Sequence, residues 1–90
     1  MKVAYRIIVK GMVQGVGFRY NTIRAASVHG VKGFVKNEPD GSVKIVAEGE
    51  EKDVKEFIAW CNEGPAYARV DEVMLEKIDL YGYELFEVKR

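Results

Sequence analysis

Between positions 11 and 19 the chain reads Gly11-Met12-Val13-Gln14-Gly15-Val16-Gly17-Phe18-Arg19, three glycines within seven residues and then an arginine. Glycine has no Cβ, so neighbouring backbone N–H groups can turn toward one point. A helix start adds unpaired donors and positive potential, and a guanidinium offers a planar fork that matches phosphate oxygens. These residue types in this order suit an anion site. Taken alone, they equally suit a glycine-rich turn followed by a surface arginine. A second polar group stands at Asn37, ahead of Glu38-Pro39-Asp40-Gly41. Asparagine also has local hydrogen-bonding reasons to end a strand, so Asn37 by itself carries little.

Ninety residues bound the answer to a single domain, 1–90, with room for one core. At 48% hydrophobic and 31% charged residues the composition is that of a globular chain. Fourteen basic and fourteen acidic residues cancel, which removes any global field for nucleic acid or an anionic membrane. Affinity for anions must therefore be local. The one cysteine, Cys61, excludes an intrachain disulfide and gives no metal-ligand spacing. No apolar run approaches the roughly 20 residues of a membrane span, and the N-terminus lacks a signal-peptide layout. A cytoplasmic location is the expectation.

The elements that must hold the site follow from periodicity. Over Lys2–Lys10, Val3, Tyr5, Ile7 and Val9 alternate with mostly basic or small residues, the period of a strand with one buried face. Phe18, Thr22, Ala25, Ala26 and His29 fall at helical spacing, and Gly30 is placed to end that helix in a left-handed turn. Residues 31–37 and 42–48 read as a hairpin around Glu38-Pro39-Asp40-Gly41. Val54, Phe57, Ile58 and Cys61 form an apolar stripe on a helix over Glu50–Glu63, whose early acids complement the dipole and which Gly64-Pro65 ends. Arg69–Ile78 is a further strand in which the pattern leaves open which of Val70, Val73, Met74 and Leu75 face inward. Glu84–Lys89 is a short last strand. Strand, helix, hairpin, helix, strand is the βαββαβ order of an α+β, ferredoxin-like sandwich. Its sheet is expected to be antiparallel, with two helices on one face and an additional C-terminal edge strand. Two right-handed crossovers make the first and third strands central neighbours, which brings Arg19 and Asn37 to one end of the sheet.

With that frame in place, the residues resemble the acylphosphatase family. The resemblance is carried by Gly11 to Arg19, by Thr22, by Gly30-Val31-Lys32-Gly33-Phe34-Val35-Lys36-Asn37 and by Asp40-Gly41. It continues through Glu48-Gly49, Gly64-Pro65, Ala68-Arg69-Val70 and Phe86-Glu87-Val88. Phe34 stands where a tryptophan is common in the family and Lys36 where an arginine is common. The resemblance implies hydrolysis of a carboxylic–phosphoric mixed anhydride to carboxylate and inorganic phosphate. By position it makes Arg19 and Asn37 catalytic, Arg19 holding the phosphoryl group and Asn37 orienting the attacking water. Backbone amides of Gln14, Gly15, Val16, Gly17, Phe18 and Arg19 surround the phosphoryl oxygens, and Thr22 supports the site. It implies no cofactor and no metal. The expected partners are a small acyl phosphate and inorganic phosphate as product and inhibitor, with no nucleic acid or membrane, and a monomer is expected.

Other residues have plainer readings. His29 lies about 15 Å along the helix from Arg19 and suits a helix C-terminus better than a general base. Cys61 belongs to the apolar stripe, and Trp60 borders it. Glu48, Glu50 and Glu51 read as a solvated helix start rather than a metal site. Tyr67, Tyr81 and Tyr83 suit either a surface patch or an acyl pocket. RNA-binding modules share the βαββαβ order, and Lys32-Gly33-Phe34-Val35 matches the start of their aromatic strand motif. The rest of that motif is missing and the net charge is zero.

Overall fold

The computed structural model describes all 90 residues. The elements run β1 (Lys2–Met12), α1 (Phe18–His29), β2 (Lys32–Asn37), β3 (Val43–Glu50), α2 (Glu51–Glu63), β4 (Arg69–Ile78) and β5 (Phe86–Lys89). They make one sheet of order β4-β1-β3-β2-β5. Antiparallel pairs join β1 to β3, β1 to β4 and β2 to β3. This is the expected ferredoxin-like α+β sandwich, in which β1 and β2 run parallel on either side of β3. Both therefore deliver their C-terminal ends to the same end of the sheet.

The expected all-antiparallel sheet needs one correction, because β5 pairs with β2 in parallel. The reason is geometric. β4 ends at the end of the sheet where β2 begins, and the connection 79–85 carries the chain from one edge to the other at that end. Entering there, β5 can only run alongside β2. Four strand spacings span about 19 Å, and eight residue steps reach roughly 27 Å when extended, so the crossing has little slack.

Glu48 anchors this crossing. It alternates with Ala47 of the core and so points to the face away from the helices, yet it is only 6% exposed. Its carboxylate accepts the N–H groups of Tyr81 at 2.7 Å, Gly82 at 2.9 Å and Tyr83 at 3.2 Å. The expected solvated role for Glu48 is thus overturned. Three successive amides of the crossing need an acceptor, and a carboxylate has lone pairs for all of them. Glu50 instead takes the N-terminal amine at 2.9 Å, which lowers its pKa.

Alternation in β1 and β3 and the helical stripes build the core. Val3, Ile7 and Val9 meet Val43, Ile45 and Ala47 beneath Phe18, Ala25 and Ala26 of α1 and Val54, Phe57 and Cys61 of α2. Burial pushes the Cys61 thiol pKa up, consistent with a packing role. His29 is partly buried at the end of α1, with Nδ1 3.5 Å from Glu56 of α2. In β4 the inward residues are Val70 and Val73, whereas Met74 and Leu75 stay 46% and 50% exposed. A spacing of three breaks the strand period because the register shifts between Lys10 and Gly11, which pair with Glu72 and Val70 and leave Asp71 extra. Edge position then keeps the outer half of the strand open to solvent.

Replacing the carboxylate with a carboxamide tests the anchor. Glu48→Gln sets an NH₂ group against backbone donors, and we expect unfolding in urea to show a loss of about 2 kcal/mol.

Candidate active site

The turn from β1 into α1 is made by two glycines in the left-handed region, Gly15 at φ 75° and Gly17 at φ 79°. Gly17 is the residue before the helix, and no side chain caps the start of α1. No acidic residue lies in its first turn either. The other helix is treated differently: α2 carries Glu51 and Asp53 in its first turn. The positive end of the α1 dipole is therefore left without an internal counter-charge.

The donors are equally free. The first α1 hydrogen bond is Asn21 N–H to Gly17 O at 3.0 Å, so the N–H groups of Phe18, Arg19 and Tyr20 precede any helical partner. None of the loop hydrogen bonds uses an N–H of residues 14–17. Arg19 sits on the second residue of the helix, half-buried, and enters no ion pair.

These groups open into one cleft of about 170 Å³ lined by Val13, Gly15, Gly17, Phe18, Arg19, Tyr20 and Asn37. Arg19 and Asn37, 18 positions apart in sequence, thus share a wall-to-wall space, as the parallel run of β1 and β2 requires. Asn37 Oδ1 is buried and has no protein donor. An unpaired buried acceptor of that kind costs about 1–3 kcal/mol, and its persistence at the end of β2 needs a reason beyond local structure. A larger hollow of about 430 Å³ lies on the open face among Ile8, Lys10, Met74 and the 38–42 turn. It sets one lysine against Glu38 and Asp40, a poor wall for an anion.

The remaining expected residues fall just outside the cleft. Thr22 is fully buried one turn below, its hydroxyl donating to Phe18 O at 2.6 Å. Val16 packs on the core, so only its main chain is available to the loop. Gln14 turns its side chain away, toward the β2–β3 turn. Phe18 is buried against Trp60 with ring centroids 5.5 Å apart, and Trp60 in turn stacks on Phe57. That aromatic column fixes the start of α1 against α2. Sequence reasoning missed Val13 and Tyr20 as lining residues. Val13 continues the alternation of β1 past its last paired residue, and Tyr20 directly follows Arg19 on the first helical turn, so both signals were available. Tyr81 and Tyr83 stack on each other at 4.5 Å over the far end of the sheet, with Tyr83 against Phe34, and belong to a surface patch remote from the cleft.

Fold and cleft together define a two-layer α+β sandwich with a hollow at one end of its sheet, lined by an uncapped helix start, Arg19 and Asn37. A family model described as Acylphosphatase matches residues 5–88. The chain is 44% identical over 90 residues to an acylphosphatase of Geobacter sulfurreducens, covering 99% of each. It is 49% identical over 86 residues to an acylphosphatase of Archaeoglobus fulgidus, covering 96% of this chain and 97% of that one. The crystal structure of acylphosphatase from Bacillus subtilis matches it with a TM-score of 0.95 at 37% identity, over 98% of this chain and 99% of the other. The chain belongs to the acylphosphatase family and is an enzyme of that kind, and hydrolysis of acyl phosphates is the reaction the family shares.

The left-handed entry to α1 can be tested directly. A Cβ on Gly17 would lie 3.4 Å from Asn21 Nδ2 and hold an L-residue in left-handed backbone. Gly17→Ala is expected to lower the unfolding free energy by about 1–2 kcal/mol and to raise KM for an acyl phosphate.

Proposed function

We propose that this chain hydrolyses acyl phosphates without a metal ion, holding the phosphoryl group between Arg19 and the amides of residues 14–19 while Asn37 aims the attacking water. The observation that carries this reading is the convergence of the uncapped α1 start, Arg19 and Asn37 on one cleft. All of these groups come from a single chain, so a monomer suffices.

The chemistry explains why so few side chains are needed. An acyl phosphate expels a carboxylate whose conjugate acid has a pKa near ~4.3, so the leaving oxygen needs no proton as the P–O bond breaks. No general acid is required. The phosphoryl group develops charge on its equatorial oxygens, and fixed N–H donors with one guanidinium answer it without reorganisation. As the water oxygen bonds to phosphorus, one of its protons passes to a phosphoryl oxygen, the bonding pair leaves with the carboxylate, and the products are carboxylate and dihydrogen phosphate. Asn37 contributes geometry. Asn37 lines the cleft beside Arg19, and in this role its carboxamide oxygen accepts a hydrogen bond from that water and directs a lone pair at phosphorus.

Benzoyl phosphate hydrolysis, followed with a chelator present, separates the roles. Arg19→Ala should lose phosphate inhibition along with about 10²–10³ in rate, and Arg19→Lys should recover little, because an ammonium lacks the planar fork. Asn37→Ala should lower kcat while leaving the phosphate inhibition constant nearly unchanged. Normal turnover by Asn37→Ala would remove the water-aiming role, and full inhibition by chelator would remove the metal-free mechanism.

A further inference from the structure

The side chain of Gln14 does work that its backbone N–H does not. Its Nε2 donates to Glu38 O at 2.8 Å and to Ser42 O at 2.8 Å, so both hydrogens of one nitrogen are used on two carbonyls. Those carbonyls bracket the β2–β3 turn. Glu38 follows Asn37 directly, and Ser42 precedes Val43, the residue paired with Asn37 across the hairpin.

The turn is already closed within itself. Glu38 N–H donates to Ser42 O at 2.9 Å and Gly41 N–H to Glu38 O at 3.1 Å. Ser42 donates its N–H and hydroxyl to Asp40 Oδ1 at 2.9 and 2.6 Å, which lowers the Asp40 pKa. Each bracketing carbonyl thus spends one lone pair on the hairpin and the other on Gln14. Without that second bond the hairpin end would still be a hairpin end, but no other hydrogen bond would tie it to residues 13–17 of the loop from β1.

We propose that Gln14 is a positioning residue, whose side chain locks the strand end bearing Asn37 to the loop that faces the phosphoryl group. It thereby sets the offset between the attacking water and phosphorus. The proposal rests on the roles given to Arg19 and Asn37 above. In-line attack tolerates little displacement, since a misplacement of about 1 Å can cost about 10²-fold in rate. Loss of the tie leaves the loop amides and Arg19 where they are, so the effect falls on turnover rather than on anion binding.

Gln14→Met keeps the side chain's length and removes its donors. We expect kcat on benzoyl phosphate to fall by about 10- to 100-fold, with the inhibition constant for inorganic phosphate changed by less than about threefold. Added to Asn37→Ala, the same change should cost little more, because both act through one group. Multiplying losses in the double variant, or an unchanged kcat in the single one, would overturn the proposal. Should Asn37→Ala turn over normally while Gln14→Met is slow, the water-aiming role fails and Gln14 acts through the loop instead. Gln14→Glu gives a second readout that general loosening would not produce. A carboxylate there faces two carbonyls, whereas the protonated acid regains one donor, so its rate relative to the unaltered protein should climb as pH falls toward about 4–5. A deficit that stays flat with pH would contradict the donor role even if Gln14→Met were too unstable to assay.

Discussion

The uncompensated N-terminus of α1 is the constraint around which this small protein is arranged. A helix start normally receives a side-chain cap or an acidic first turn, and α2 has the latter. At α1 both are missing, and a left-handed glycine stands in the capping position. Left open to solvent such an end would fray, so its hold must come from packing. Phe18, the first helical residue, is driven into the core beneath Trp60, and Thr22 is sealed below it. The unpaired donors are thus held out by the hydrophobic contacts immediately behind them.

Topology supplies the second half of the site. Because β1 and β2 flank β3 and run parallel, the loop leaving β1 and the turn leaving β2 emerge side by side. The crossing at the opposite end, held by Glu48, closes the sheet at the end away from the cleft. The two ends of the sheet divide the labour: one tethers the C-terminal segment, and the other exposes main-chain donors beside an asparagine.

The parts of the structure legible from sequence are those that depend on local pattern. Alternation in β1, the stripe of α2 and the turn residues at 38–41 specify their elements to within about two residues. The glycine turn and helix start between Gly11 and Arg19 are legible in the same way, with Gly15 and Gly17 in the left-handed region and α1 beginning at Phe18. What escaped depends on pairing. The parallel entry of β5 follows from where a crossing connection lands, and the inward residues of β4 follow from one extra residue opposite Lys10 and Gly11; neither leaves a local trace. Glu48 is the sharpest case. By type and neighbours it belongs with the solvated acids of a helix start, and only the return of the chain 33 residues later gives its carboxylate the amides it binds. Gln14 escaped in the same way, its partners lying 24 and 28 residues on.

A chain of 90 residues has one core and little surface to shape. Catalysis that required a buried acid, a base and an orienting third group would need three side chains fixed in depth by surrounding shells, which a two-layer sandwich of this size has little material to provide. Acyl phosphates remove that requirement, because the leaving carboxylate is stable as it departs and the phosphoryl group carries its own proton acceptor. What remains is to hold a tetrahedral anion and present water in line with it. On the reading proposed above, main-chain amides serve the first need at no side-chain entropy, since the helix orders them in any case. The same reading gives the second to Asn37, at a strand end where the sheet's own hydrogen bonds fix the backbone up to that residue. The smallness of the fold and the economy of the site are, on this argument, one fact: the reaction asks for geometry that secondary structure already contains.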